Sequence, residues 1–236
     1  MKNISDYDFE KGELLLFNKP SGWTSFDVVN KIRWASGAKK VGHAGTLDPL
    51  ATGLLILCTG KMTKQISEFQ DLKKEYTGTI KLGITTDSYD LEMPVNAEFS
   101  TQHITQELLK ICAEKFIGKI AQVPPAYSAK RMDGGRAYQK ARNGEMPVMK
   151  PHEVEITEFE LTKTDLLVSK TVDFRVVCSK GTYIRSLAFD LGKSLDSGAC
   201  LASLCRTKIG SFLLENALEV VPFAEELKKN KVQKIF

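Results

Sequence analysis

The stretch of sequence that decides the fold is Val41-Gly42-His43-Ala44-Gly45-Thr46-Leu47-Asp48-Pro49-Leu50-Ala51-Thr52-Gly53-Leu54-Leu55. Its glycine-rich first half predicts a loop, and the apolar run that begins at Leu54 predicts a buried strand. Asp48 falls in the loop, because Pro49 directs the preceding residue toward an extended conformation. Such an aspartate either caps its own turn or presents a carboxylate for chemistry. The residues of this stretch leave both interpretations open.

The segments around this stretch predict a mixture of strands and helices. Alternating or continuous apolar residues indicate strands, and a Thr24 to Asp27 capping box indicates the start of a helix that ends at Gly37. A turn at residues 179–182 leads from the last of these strands into another amphipathic helix. The predicted strands are Glu13 to Lys19, Leu54 to Thr59, Lys73 to Gly83 and Val172 to Cys178. We therefore expect an α+β fold.

The composition is that of an ordinary globular protein. The chain has 236 residues, 42% of them hydrophobic and 26% charged, with a formal net charge of +4. These values exclude a mostly disordered or fibrous protein. The apolar runs are far shorter than the roughly 20 residues that span a bilayer, and the N-terminus lacks the pattern of a secretory signal. We therefore expect a cytoplasmic protein with no membrane partner.

Basic residues are concentrated in two regions of the chain. Residues 28–47 contain four basic residues and no acidic one, and residues 119–150 contain seven basic residues and two acidic ones. The aromatic residues in and beside these regions are Trp34, Tyr127 and Tyr138. Cations with interleaved aromatic rings are typical of nucleic-acid binding, although a solvated surface carries the same composition.

The Asp48 stretch resembles the active-site motif of the bacterial tRNA pseudouridine-55 synthases, the TruB family. Five further motifs resemble that family in the same order, and together they cover roughly residues 14 to 212. They are Leu16 to Ser25, Lys74 to Gly83, Pro124 to Lys130, Cys178 to Leu187 and Gly198 to Thr207. The resemblance implies a pseudouridine synthase-like core, with a curved mixed, largely antiparallel sheet flanked by helices. It also implies one catalytic domain over residues 1–236, without the C-terminal PUA domain of longer members.

The resemblance assigns roles to individual residues. Asp48 would be the catalytic aspartate, Tyr76 the ring stacked against the target base, and Arg185 the partner of the carboxylate. The residues expected to bind the substrate are His43, Tyr76, Tyr183, Leu204 and Lys130. An arginine beside a carboxylate favours its ionised form. Asp48 could then act as a nucleophile or as the base that removes a ribose proton, and the sequence does not choose between these routes.

No cofactor is expected. The family's reaction breaks the N1–C1′ glycosidic bond of uridine, turns the base and rejoins it through C5, without a redox change. The cysteines and histidines lack metal-ligand spacing, and the glycines at Gly53 and Gly60 are too far apart for a Walker phosphate loop. We therefore expect neither a metal nor a nucleotide.

The resemblance implies that the substrate is the T-arm stem-loop of tRNA, from which the enzyme extrudes the target uridine. We expect a monomer that acts without a guide RNA. The guide-RNA-directed, dyskerin-type enzymes share these motifs, but they depend on partner proteins and carry the PUA domain.

Two other functions fit the same residues. One is an RNA chaperone that opens and refolds tRNA without chemistry. The other is a hydrolase such as a nucleosidase, which would use Asp48 as a nucleophile and release free uracil.

Overall fold

The computed structural model describes residues 3–128, 131, 132, 135, 136, 145 and 148–233. The chain divides into two compact units: residues 1–76 with 205–236 form the first, and residues 77–204 form the second. Both boundaries fall inside strands, so that two strands contribute residues to both units. The single catalytic domain expected over residues 1–236 stays a prediction.

Short strands and three α-helices build the first unit. Its strands are β1 (Leu14–Lys19), β2 (Val41–His43), β3 (Thr52–Thr59), the end of β12 (Ala199–Ile209), β13 (Phe212–Leu213) and β14 (Leu218–Glu219). Its α-helices are α1 (Ser25–Ser36), α2 (Ile66–Asp71) and α5 (Val220–Gln233), and 3-10 helices span Ile4–Asp6, Gly60–Gln65 and Leu214–Asn216. The strand order is β14-β1-β3-β12, with β2 paired to β3 and β13 paired to β12.

Strand β3 is the centre of the first unit. It runs antiparallel to β1 and β2 and parallel to β12. Leu54 to Cys58 are fully buried, because one face of the strand packs under α1 and α5 and the other face packs against Ala44 and Ile209. A strand buried on both faces requires a continuous apolar run, so the predicted strand is confirmed.

Helix α1 has the predicted signals at both ends. The Thr24 side chain accepts the Asp27 backbone N–H, and the Asp27 carboxylate accepts the Thr24 backbone N–H, which is a complete capping box. Gly37 ends the helix at φ +76°, a left-handed conformation that favours glycine. The face that packs into the core consists of Val28, Val29, Ile32 and Ala35.

The second unit is a sheet with two helices. Its strands are β4 (Lys74–Leu82, which begins in the first unit), β5 (Ile84–Thr86), β6 (Val95–Glu98), β7 (Gly118–Gln122), β8 (Arg131–Met132), β9 (Gly135–Arg136), β10 (His152–Asp165), β11 (Thr171–Cys178) and the start of β12. Its helices are α3 (Gln106–Glu114) and α4 (Ile184–Ser194). The main sheet has the order β12-β4-β11-β10-β7, with β10 antiparallel to both neighbours.

The predicted α+β class with a largely antiparallel mixed sheet is confirmed. Strand β10, the longest strand in the described part of the chain, was not predicted from the sequence. The four glutamates of β10 make its apolar alternation difficult to recognise in the sequence. They lie on the less buried side of the strand, whereas Val154, Ile156 and Phe159 enter the core. Among the described residues, every helix is too short or too polar to span a bilayer.

Candidate active site

Asp48 lies in a loop of the first unit, between β2 and β3. We call residues 44–51 the Asp48 loop. Its ends are fixed by backbone bonds, from the Ala44 N–H to the Ile56 carbonyl at 2.9 Å and from the Ala51 N–H to the Asp48 carbonyl at 3.1 Å. Main-chain hydrogen bonds therefore close the turn, and the Asp48 side chain within it is half-buried.

Arg206 is buried and holds the loop from behind. Its Nε donates to the Leu54 carbonyl at 2.7 Å, and one terminal nitrogen donates to the Gly45 carbonyl at 3.2 Å. These carbonyls lie on opposite sides of Asp48 in the chain. Gly53 approaches so closely, at φ +100°, that a β-carbon there would collide with the Arg206 backbone. One side chain thus fixes the path of the chain on both sides of Asp48.

A second buried cation, Lys19, lies at the end of β1. Its Nζ donates to the carbonyls of Trp23 at 2.5 Å, Pro20 at 2.9 Å and Pro49 at 3.3 Å. Burial lowers the pKa of Lys19 to about 8, and the Asp48 carboxylate acts in the opposite direction. The ammonium group therefore contacts the residue next to Asp48 and is attracted by the Asp48 charge.

The start of α1 is also joined to the loop. The buried Ser25 hydroxyl accepts the Leu47 N–H at 2.8 Å and donates to the Leu47 carbonyl at 3.3 Å. The Gly22 N–H, just before the helix, donates to the Pro49 carbonyl at 2.9 Å. The residues on both sides of Asp48 are therefore bonded to the turn that begins α1.

Two more predicted site residues belong to the first unit. His43 ends β2, opposite Leu57 of β3. Burial lowers the pKa of His43, a backbone bond to Gly45 opposes that effect, and the Arg206 charge lowers the pKa further. The imidazole is therefore neutral at pH 7. Tyr76 lies on β4 and is nearly buried, so its ring is held in a fixed position.

Arg185 lies in the first turn of α4 in the second unit, only 4% exposed. Its guanidinium donates to the Ser88 and Tyr127 carbonyls, both at 3.0 Å, and lies 3.6 Å from the Asp90 carboxylate. Asp90 is itself buried and accepts the Ser88 hydroxyl at 2.5 Å. The structure thus gives Arg185 a buried counter-charge, and its expected pairing with Asp48 stays a prediction.

Tyr183 is the N-cap residue of α4 and is held by the buried Gln122 side chain. The Tyr183 N–H donates to the Gln122 amide oxygen at 2.8 Å, and the Gln122 amide nitrogen donates to the Tyr183 carbonyl at 3.1 Å. The His152 ring lies edge-on to the Tyr183 ring, with the centroids 6.0 Å apart. Leu204 is nearly buried on β12. Lys130, the last predicted binding residue, lies outside the described residues.

Three buried charged residues beside the predicted ones were not identified from the sequence, namely Lys19, Arg206 and Asp90. Lys19 had a detectable signal, since it shares the strand alternation of Leu15 and Phe17 and is therefore placed on the buried face of β1. The described residues contain no group of three or more His, Cys, Asp or Glu that could hold a metal ion. The expected absence of a cofactor stays a prediction.

Comparison of the sequence with known families and proteins gives consistent matches. The model of the TruB family pseudouridylate synthase (N terminal domain) matches residues 33–184. The chain is 50% identical over 234 residues to tRNA pseudouridine synthase B of Phocaeicola vulgatus, covering 97% of this chain and 98% of the relative. It is 52% identical over 233 residues to tRNA pseudouridine synthase B of Bacteroides thetaiotaomicron, covering 96% and 97%.

Solved structures show the same fold. A chain of the archaeal box H/ACA sRNP Nop10-Cbf5 complex superposes with a TM-score of 0.69 at 23% identity, over 96% of this chain and 57% of that one. A chain of a Cbf5-Nop10-Gar1 complex gives a TM-score of 0.70 at 24% identity, over 95% and 56%. Our chain spans little more than half the length of these two solved chains. At such identities the likeness shows the fold alone, and it confirms the predicted core.

Proposed function

The chain belongs to the TruB family of pseudouridylate synthases, and we propose that it converts uridine 55 in the T arm of tRNA to pseudouridine, with Asp48 as its catalytic carboxylate and no cofactor. Pseudouridine synthases are isomerases, and the chain is therefore an isomerase. The observation that carries the proposal is the Asp48 loop. Two buried cations and the start of α1 hold the backbone on both sides of Asp48, which fixes the position from which its carboxylate would act.

The chemistry requires only groups of this kind. Uridine and pseudouridine are isomers: the N1–C1′ bond breaks, a C5–C1′ bond forms, the C5 hydrogen leaves as a proton and N1 gains one. A carboxylate can begin this sequence as a nucleophile or as the base that takes a ribose proton. In either role the position of the Asp48 carboxylate matters. Holding a reacting group in near-attack geometry can lower the barrier by about 7 kcal/mol or more.

The remaining predicted residues have proposed roles in substrate binding. Extruding a uridine costs a few kcal/mol, and stacking on the Tyr76 ring returns about 1–3 kcal/mol. We keep Arg185 as the proposed partner of the Asp48 carboxylate and Lys130 as a proposed phosphate contact. The residues proposed to line the uridine or RNA site are His43, Tyr183 and Leu204.

The proposed partner is tRNA alone. The curated relatives are named as tRNA enzymes, and the Nop10 and Gar1 assemblies are properties of the solved complexes that bear those names. We propose that this chain acts as a monomer without a guide RNA, in the cytoplasm, as a single catalytic domain.

The experiment that tests the function is tritium release from a T-arm stem-loop labelled at C5 of uridine, without added metal or nucleotide. Isomerisation must exchange the C5 hydrogen. We expect the wild-type chain to release tritium from the single T-loop uridine, and we expect Asp48→Asn to release none while it still binds the RNA. Asp196→Asn is the matched control, because it also replaces a carboxylate by an amide at a left-handed residue that suits asparagine.

The alternatives give different results in the same assay. Tight binding without tritium release by the wild-type chain would indicate an RNA chaperone. Release of free uracil would indicate a nucleosidase. Full activity of Asp48→Asn would remove Asp48 from the mechanism.

A further inference from the structure

The outward face of α1 carries two large aromatic side chains. Phe26 is 64% exposed and Trp34 is 83% exposed. Arg33 and Trp34 follow Phe26 by seven and eight residues, close to two helical turns, so all three project on the same side of the helix. The opposite side is occupied by the residues that enter the core. These rings are therefore not required by the packing of the unit.

Most of the charged side chains around these rings are basic, and the Glu10 carboxylate is bonded to the Lys39 backbone N–H at 3.2 Å. Arg33, Lys39 and Lys40 are exposed, and residues 28–47 contain four basic residues and no acidic one. The nearby Asp27 carboxylate is bonded to the Thr24 backbone and hydroxyl in the capping box. We define Phe26, Arg33, Trp34, Lys39 and Lys40 as the α1 face.

The α1 face begins beside the Asp48 loop. Ser25 is bonded to Leu47 of the loop, and Phe26 is the next residue. Since a helix rises about 1.5 Å per residue, Trp34 lies about 12 Å farther along the axis. The face thus extends away from the residue at which the proposed chemistry occurs.

We propose that the α1 face binds the substrate RNA where it leaves the Asp48 loop, with the cations on phosphates and Trp34 stacked on an unpaired base. This inference rests on the proposed function, because it takes RNA as the substrate. Two aromatic rings separated by a cation suit a chain of bases and phosphates. Lysine is depleted in protein–protein interfaces, whereas the α1 face carries two exposed lysines, Lys39 and Lys40.

A second exposed apolar side chain, in the turn between β10 and β11, serves as a control for the α1 face. The turn between β10 and β11 exposes Leu167 at 92%, with Lys163 exposed nearby on β10. An aliphatic side chain has no π-face on which a base can stack. The pair Lys163 and Leu167 therefore matches Arg33 and Trp34 in charge and exposure but lacks the aromatic ring.

The test compares Arg33→Ala/Trp34→Ala with Lys163→Ala/Leu167→Ala on unmodified full-length tRNA. Tritium release gives kcat and KM, and filter binding gives the Kd at several salt concentrations. For the α1 variant we expect KM and Kd to rise about 10-fold, with kcat within about twofold of wild type. The slope of log Kd against the logarithm of the salt concentration should become smaller by about one, because one phosphate contact is removed. Alanine favours helix, so α1 should remain folded. The control variant should match wild type.

The outcomes separate this inference from the proposed function. Unchanged KM, Kd and salt dependence in the α1 variant would overturn the inference and would direct attention to a protein partner for this face. A fall in kcat alone would also overturn it, because the helix would then act only through the Asp48 loop. Absence of tritium release by the wild-type chain would overturn the proposed function, while the Kd values would still decide whether the α1 face binds RNA.

Discussion

Each compact unit contains a buried arginine bonded to backbone carbonyls, but the two arginines are compensated differently. In the first unit, Arg206 donates to carbonyls on both sides of Asp48. In the second unit, Arg185 donates to the Ser88 and Tyr127 carbonyls and also faces the buried Asp90 carboxylate. A buried charge is unfavourable unless it is paired or well hydrogen-bonded.

The two arginines therefore depend on different parts of the chain. The Asp48 loop supplies the Gly45 carbonyl that accepts from Arg206, and the other acceptor, the Leu54 carbonyl, lies on β3. Moving the loop would therefore remove one acceptor of a buried cation. Arg185 has a buried counter-charge in the Asp90 carboxylate, which lies outside the Asp48 loop. Arg206 therefore couples loop position to stability, whereas the Arg185–Asp90 pair fixes a charged side chain in place.

The largest effect is expected from Arg206→Met, which keeps an extended side chain but removes all donors. The buried Leu54 carbonyl and the part-buried Gly45 carbonyl lose a donor, and we expect the free energy of unfolding to fall by about 3–5 kcal/mol. Turnover should fall about 100-fold in the folded protein, with little change in KM, because a misplaced catalytic group affects mainly the chemical step. Urea denaturation and tritium release measure the two quantities.

Two variants sharpen this result. Arg206→Lys restores one donor and the charge, and it should recover part of kcat. Arg175→Met removes a half-exposed arginine that bonds Glu158 on the sheet surface, and it should change the unfolding free energy by no more than about 1 kcal/mol. Normal kcat in folded Arg206→Met would show that Arg206 supports the fold and not the position of Asp48.

A smaller effect is expected from Asp90→Asn, which removes the buried carboxylate that lies 3.6 Å from the Arg185 guanidinium. The free energy of unfolding should fall by about 2–3 kcal/mol, since the two carbonyl bonds of the guanidinium remain. The double variant Asp90→Asn/Arg185→Met should be more stable than Asp90→Asn alone, because it no longer buries a guanidinium that has lost the Asp90 carboxylate. Ser88→Ala is the control, and it should cost about 1 kcal/mol through one lost hydrogen bond. Additive effects of the two substitutions would contradict the pairing.

The sequence predicted the parts of the molecule that depend on local patterns. The apolar run of β3, the Thr24 to Asp27 capping box and the strand-to-helix turn before α4 are confirmed. Asp48 and Arg185 were identified only because their motifs resemble a family. Composition and periodicity alone left Asp48 as either a turn residue or a catalytic one.

The residues that the sequence did not predict are those whose partners are distant in the chain. Arg206 bonds the Leu54 carbonyl across 152 residues, and Arg185 bonds the Ser88 carbonyl across 97. Local periodicity predicts which face of a strand is buried, but it does not predict which carbonyls a buried cation will find. The same limit explains why Asp90, in an acidic segment, was not recognised as the partner of Arg185.

The smallest effect is expected from the titration of Lys19, the other buried cation of the first unit. Burial lowers its pKa from 10.5 to about 8. Below pH 8 the amine is protonated in both the folded and unfolded chains, and the unfavourable burial of its charge is fully present. Between pH 8 and about 10.5 the unfolded chain binds more protons, so the contribution of Lys19 to the free energy of unfolding increases with pH.

The measurement is the difference in unfolding free energy between wild type and Lys19→Met from pH 7 to 10, which cancels the other titrating groups. We expect this difference to shift in favour of wild type above pH 8, by up to about 1 kcal/mol per pH unit. In the Asp48→Asn background the shift should begin at a lower pH, because the Asp48 carboxylate raises the pKa of Lys19. If the shift begins at the same pH with and without the Asp48 carboxylate, burial alone sets the pKa of Lys19. The Asp48 charge would then have no measurable effect on the Lys19 ammonium group.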